Sequence, residues 1–253
     1  MRLLVLGARA TGLIAAARAR GLFVVAIDQD PRAPGFALAH RRAILRTDDE
    51  PALERLVEAA GIEGVIGTGA ATGAAARVAA RFRLPHPHSP ETAVLLGSKL
   101  RRRERLREAR VPQTRWAVVK GSAHPGFPCV VDPADRKGRR LAEEAPGAAE
   151  VTVTACSSDG AFRPLLGSGP AADVARRAAE ALGVENGITS TRLRLGADGP
   201  RVAEVRPDAS DREVELCRLL LGVDVHALVL DAAVGRAPAA EYVRFGAADA
   251  QVA

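Results

Sequence analysis

Short apolar runs alternate with helix-forming stretches over the first third of the chain. Residues 2–6, 23–28, 43–45 and 64–66 read as strands. Residues 12–20, 51–60 and 70–81 carry apolar side chains at three- and four-residue spacing, which lines them up on one face of a helix. Strands alternating with helices in this way predict a parallel sheet covered by helices, a Rossmann-like α/β domain over residues 1–88. The stretch 84–90, rich in Pro and His, reads as a linker. Ser89 followed by Pro90 supplies an N-cap and a first-turn proline for a new helix, and residues 99–109 form another that stops before Val111-Pro112.

From Arg115 the pattern turns to mixed β. Strands are expected at 115–119, 129–132, 150–157, 161–165, 189–195 and 202–206, with helices at 171–182 and 211–221. The turn sequences Ser158-Asp159-Gly160 and Gly196-Ala197-Asp198-Gly199-Pro200 join neighbouring strands, so both pairs are expected to be antiparallel hairpins. The fold class is therefore α/β, with an α+β region over residues 89–242 following the first domain and a tail over 243–253.

Composition narrows the function. The net charge of +6 and the run RRRERLREAR at 101–110 raise a nucleic-acid reading. Against it, the arginines are scattered, and aromatics make up only 3% of residues, too few for a base-stacking platform. The charges at 101–110 repeat at helical spacing around Leu100 and Leu106, which predicts a solvated amphipathic helix. Cys129, Cys156 and Cys217 form no CxxC pair and read as free thiols of a reducing cytoplasm. No apolar run approaches the roughly 20 residues of a membrane helix, so no membrane partner is expected.

Gly7-Ala8-Arg9-Ala10-Thr11-Gly12 lies between the first strand and first helix, where a dinucleotide site would place its phosphate loop, and Asp28 ends the second strand where a ribose-binding acid would stand. Only two of three glycines are present, and Arg9 is bulky where a pyrophosphate needs the backbone. The alternative is a tight turn serving the fold. His86 and His88 lack a nearby Cys or acidic partner and read as loop residues, His124 and His226 are isolated, and no Ser/His/Asp or Cys/His set presents itself.

The series of segments as a whole resembles the ATP-grasp superfamily, in the carboxylate-amine ligase branch that includes biotin carboxylase and carbamoyl phosphate synthetase. VLGARATGLIAAARARGLFVVAIDQDPRAPGFALA resembles that family's N-terminal domain, and GSKLRRRERLREARVPQTRWAVV its entry helix and first strand. GFPCVVDPADRKGRR resembles the strand and glycine loop over the phosphates, and LAEEAPGAAEVTVTACSSDG the stretch that holds adenine. ENGITSTRLRLGADGPRVAEVRPDASD and LLLGVDVHALVLDAAVG resemble the metal-binding hairpin and closing helix. The resemblance implies ATP as cofactor, with Lys99 contacting it, Glu143 and Glu144 around the adenine and ribose, and Glu204 as a magnesium ligand.

The departures are chemical. The family places a phosphate-binding lysine where this chain has Asp132, and a carboxylate where it has Arg192. The family's E-x-N-P-R reads here Glu204-Val205-Arg206-Pro207-Asp208. An aspartate about 4 Å from a phosphate charge repels it by about 4 kcal/mol at an effective dielectric of ~20. With the hairpin turn centred on Asp198, Arg192 falls opposite Glu204 and Ser190 opposite Arg206. A Glu–Arg pair then occupies the place of magnesium, whose loss is the expectation. The joins after Arg140 and near 166–170 look like deletions of family segments.

The expected protein is thus a degenerate ligase relative that keeps the scaffold and binds a nucleotide or small anion. The partner classes are a second copy or a biosynthetic enzyme. In the alternative of an active minimal ligase working through an acyl phosphate, Lys137 takes over the phosphate contact and Arg192 with Arg206 stand in for the metal. The other alternative is an Arg-rich nucleic-acid module.

Overall fold

The computed structural model describes residues 1–119, 125–133, 140–145 and 149–236. It begins with β1 (Arg2–Leu6), α1 (Thr11–Ala19), β2 (Phe23–Asp28), β3 (Arg41–Ile44), α2 (Glu50–Ala60), β4 (Gly64–Gly67) and α3 (Thr72–Arg81). The four strands form one sheet in the order β3-β2-β1-β4, all parallel, with Val5 of β1 beside Ala26 on one side and Ile66 on the other. Alternate residues of a strand face opposite sides. Leu3 and Val5 accordingly pack with Leu13, Ile14 and Ala17 of α1, while Leu4 and Leu6 pack with Leu53 and Val57 of α2 and with Ala75 and Val78 of α3.

Ser89 caps α4 (Pro90–Gly97) by accepting a hydrogen bond from the Thr92 N–H. Ser98 caps α5 (Lys99–Glu108) in the same way through Arg101. The helix expected at 101–110 is amphipathic, with Arg101, Arg105, Arg107 and Glu108 exposed, but the expectation is corrected at two positions. Arg102 and Arg103 are only 7% and 4% exposed and lie on the buried side of α5 with Leu100 and Leu106. Arginine can be buried when its fork of donors is fully met. Arg102 donates to the Leu96 carbonyl, and Arg103 to Glu143, Thr114 and the carbonyls of Val202 and Ala203.

A small antiparallel sheet follows, made of β5 (Trp116–Val119), β6 (Cys129–Pro133) and β7 (Arg140–Glu144) in the order β5-β7-β6. The larger sheet contains β8 (Glu150–Ser158), β9 (Ala161–Leu166), β10 (Gly187–Gly196) and β11 (Gly199–Arg206) in the order β11-β10-β8-β9. Both expected hairpins are present. α6 (Gly169–Ala181) covers one face, burying Val174, Ala175, Ala178 and Ala179 against Val153, Leu193, Val202 and Val205.

On the other face lie α7 (Asp211–Leu221) and α8 (Val225–Ala233), whose Cys217, Val225 and Leu228 meet Cys156 and Ile188. All three cysteines are free thiols, and burial pushes Cys156 and Cys217 each up to about 11. α8 also returns to the first sheet. Leu230 and Ala233 join the core beneath α1, and Arg20 bonds the Ala227 carbonyl and the Asp231 carboxylate. The carbonyl of Ala233 comes so close to β4 that a Cβ on Gly64 would lie 2.8 Å from it. The two regions thus share a core. Among the described residues, no helix is long and apolar enough to cross a membrane.

Candidate functional site

The hairpin closes on a two-residue turn between Gly196 and Gly199 rather than on one centred at Asp198, and a register shift between Arg192 and Leu193 then sets Arg192 opposite Glu204 and Ser190 opposite Arg206, the pairs expected. On the same face, Thr154 and Thr152 of β8 lie beside Ser190 and Arg192. The N-terminal turn of α7 closes over them. The result is a cleft of about 520 Å³ lined by Glu150, Thr152, Thr154, Ser190, Arg192, Glu204, Arg206, Ser210, Arg212 and Glu213.

Most of its charges are paired within the protein. Arg192 lies 3.2 Å from Glu204 and 3.6 Å from Glu150. Arg206 lies 2.7 Å from Glu213. Glu213, 7% exposed, is the hub of this corner. It accepts from the hydroxyls of Thr154, Ser190 and Ser210, from the Ser210 N–H and from Arg206. Burial pushes its carboxyl up, but hydrogen bonds from Ser190, Ser210 and Thr154 outweigh that and hold it below the usual range. The sequence carried a signal for it, since Ser210-Asp211-Arg212-Glu213 is a capping box, and both reciprocal bonds are present.

Lys99, at the start of α5, is 2.8 Å from Asp132 on β6 and 3.5 Å from Glu143 on β7. The hydrogen bond to Asp132 is the largest cause of a raised lysine pKa, and burial opposes it. Asp132 is therefore not an isolated negative charge. The repulsion estimated for it alone is reduced by Lys99, and Lys99 is itself engaged.

Glu143 and Glu144 do not act as one acidic pair, because adjacent strand residues point to opposite faces. Glu143 meets Lys99 and the buried Arg103, whereas Glu144 meets Arg115 and Arg194. Lys137 and His124 lie outside the described residues.

A second cavity, about 280 Å³, sits at the carboxyl ends of β1 and β4 and is lined by Arg9, Thr68, His88, Asp208, Asp211 and His226 among others. This is the switch point of the parallel sheet, where chain connections leave in opposite directions and open α/β sheets bind ligands. The dinucleotide features are otherwise engaged. Asp28 accepts from the N–H groups of Ala8 and Asp30, and Arg9 pairs with Asp30 at 2.8 Å. The ring of His226 occupies the space over Gly12, where an added Cβ would lie 2.6 Å from it. Asp208 accepts from the Gly69 N–H, and burial raises its carboxyl above the usual value. His86 and His88 stand edge to face with centroids 6.0 Å apart, and burial lowers His88 to about 3.

No family model matches the sequence. Over 144 residues it is 32% identical to a formate-dependent phosphoribosylglycinamide formyltransferase of Burkholderia thailandensis, a match that spans 52% of this chain and 36% of that protein. Among solved structures, an L-amino acid ligase from Bacillus licheniformis superposes with a TM-score of 0.81 at 18% identity, covering 95% of this chain and 75% of the ligase. A phosphoribosylglycinamide synthetase from Anaerococcus prevotii gives 0.74 at 16%, covering 93% and 75%. An N5-carboxyaminoimidazole ribonucleotide synthetase from Thermotoga maritima gives 0.72 at 18%, covering 94% and 76%. The chain has the ATP-grasp fold of the carboxylate-amine ligases.

Proposed function

We propose that this chain is a catalytically degenerate ATP-grasp-like protein whose cleft holds a nucleotide phosphate or another small anion without magnesium. The observation that carries the reading is the double ion pair across the cleft floor, Arg192–Glu204 and Arg206–Glu213. Magnesium demands near-octahedral oxygen ligands. Both Glu213 oxygens are already taken by hydroxyl, N–H and guanidinium donors, and Glu204 is held by Arg192. This donor set does not fit the metal.

Three arginines line the cleft, Arg192, Arg206 and Arg212. Fixed guanidinium groups bind phosphate and carboxylate oxygens through paired hydrogen bonds. ATP or ADP is the nucleotide the fold suits, since solved relatives of the same fold are complexes with ADP. The cavity at the switch point would receive a small organic ligand. The test is a screen for ADP release with ATP, Mg²⁺ and pooled carboxylates and amines. No turnover is expected, and clear Mg²⁺-dependent ADP release would overturn the reading.

One observation favours an active minimal ligase instead: Glu204 and Glu213 both project into the same cleft, two carboxylates where a metal site would need them. In that case Lys137→Ala abolishes turnover.

A further inference from the structure

We infer that a groove between the end of α5 and the start of β5 binds a short single-stranded stretch of nucleic acid. The groove measures about 500 Å³ and is lined by Arg107, Arg110, Gln113, Arg115, Trp116 and Phe127 among others. Arg177 of α6 donates to the Arg110 carbonyl at 2.9 Å and so brings a further guanidinium to its rim. The groove shares no lining residue with the cleft or the switch-point cavity, and it stands apart from the nucleotide reading.

Free positive charge and aromatic rings meet here. Arg107, Arg110 and Arg177 are exposed, and none of them forms an ion pair among the described residues. The nearby acids are taken, Glu108 by Arg105 and Glu144 by Arg115. The Arg107 guanidinium lies over the Trp116 ring, 5.0 Å from its centroid, and that of Arg115 lies 5.1 Å from the centroid of Phe127. Trp116 is half-buried and is the one tryptophan of the chain. The low aromatic content leaves no extended stacking platform, but a groove for a few nucleotides needs only one ring. Guanidinium groups hold phosphates, and unpaired bases stack on aromatic rings and on guanidinium planes. A duplex keeps its bases stacked on each other and would leave Trp116 unused, as would an acidic peptide.

The backbone of Arg110 supplies an independent observation. Its φ is +53°, at the position just past α5 where glycine is the usual residue. The Arg110 N–H bonds back to the Arg107 carbonyl and the Val111 N–H to the Leu106 carbonyl, which closes the helix. Glycine would make the same turn without crowding its Cβ. What arginine adds at this position is a guanidinium at the groove.

The experiment titrates unlabelled oligo(U) and oligo(dT) of about twelve nucleotides into the full chain at low salt and follows the fluorescence of Trp116. Saturable quenching is expected with both. The affinity should fall with salt at a log–log slope near −2, about −0.7 for each phosphate held by Arg107, Arg110 and Arg177. Arg107→Ala/Arg177→Ala should weaken binding at least about tenfold and bring the slope close to −0.7. Arg110→Gly separates binding from folding: affinity should drop about threefold or more, while the midpoint of a thermal melt followed by circular dichroism does not fall. No quenching at low salt overturns the inference. So does binding that survives the arginine changes, or equal affinity for a duplex of the same length. An equal response to poly-glutamate, abolished by the same variants, overturns it too, because the groove is then a seat for an acidic protein.

Discussion

The ammonium group of Lys99 lies 2.8 Å from the carboxylate of Asp132, tying the first turn of α5 to the edge strand β6 of the small sheet. Each residue removes the other from service as a ligand for an outside charge. Replacing Asp132 by Lys should release Lys99 and put two cations where there was a neutral pair. Calorimetric titration with ADP is expected to show at least about tenfold tighter binding in Asp132→Lys, equivalent to ~1.4 kcal/mol. Because the pair is partly exposed, Asp132→Asn should change unfolding free energy by no more than about 1 kcal/mol.

Glu213 differs from Asp132 in burial, and the expected effect differs with it. Removing a buried carboxylate leaves Arg206, Thr154 and Ser190 without their shared acceptor. Glu213→Ala should cost about 3–5 kcal/mol in urea unfolding. Its folded-state pKa lies below the ordinary 4.5. The unfolded state therefore binds the proton first as pH falls. The stabilisation is complete above about pH 5 and is lost as pH drops through the folded value. Glu213→Gln should flatten that acid limb of the stability profile.

Arg103 tests the buried face of α5. Its guanidinium serves Glu143, Thr114 and two carbonyls at once, a geometry that an ammonium group cannot reproduce. Arg103→Lys is expected to lose about 2–4 kcal/mol by chemical denaturation, close to the loss in Arg103→Ala. Arg101→Ala, on the exposed side, should stay within about 0.5 kcal/mol of the parent.

Gly12 and His226 supply a coupled pair across the two regions. An alanine at position 12 would place its Cβ 2.6 Å from the His226 ring, so Gly12→Ala should destabilise by about 1–3 kcal/mol. Adding His226→Ala should recover most of that loss. A double-mutant cycle with no coupling would contradict the packing of α8 against the first loop.

Much of this architecture is legible in the residue pattern. The parallel sheet shows in its apolar runs, and so do the two strands of the hairpin, but Arg192 comes opposite Glu204 through a register shift beside Leu193 that neither the turn nor the two-residue period records. β7 is hidden because Glu143-Glu144 break its alternation, although each glutamate has its own cationic partner on its own face. The buried side of α5 is hidden because Arg102 and Arg103 look solvated until the carbonyls and Glu143 around them are known. The docking of α8 beneath α1 joins residues about two hundred positions apart, as Arg20 and Asp231 do, and no local period records that. Glu213 carried a visible capping signal, but its second role, holding Arg206 at the cleft, depends on strands distant in sequence.

The paired cleft floor is tested most directly by isothermal titration of ATP, ADP and a non-hydrolysable analogue into the protein with and without Mg²⁺. A cleft whose carboxylates are held by Arg192 and Arg206 should bind nucleotide with the same affinity in both conditions. Tightening of about tenfold or more on adding Mg²⁺, a coupling of ~1.4 kcal/mol, would contradict it and restore the metal to the site.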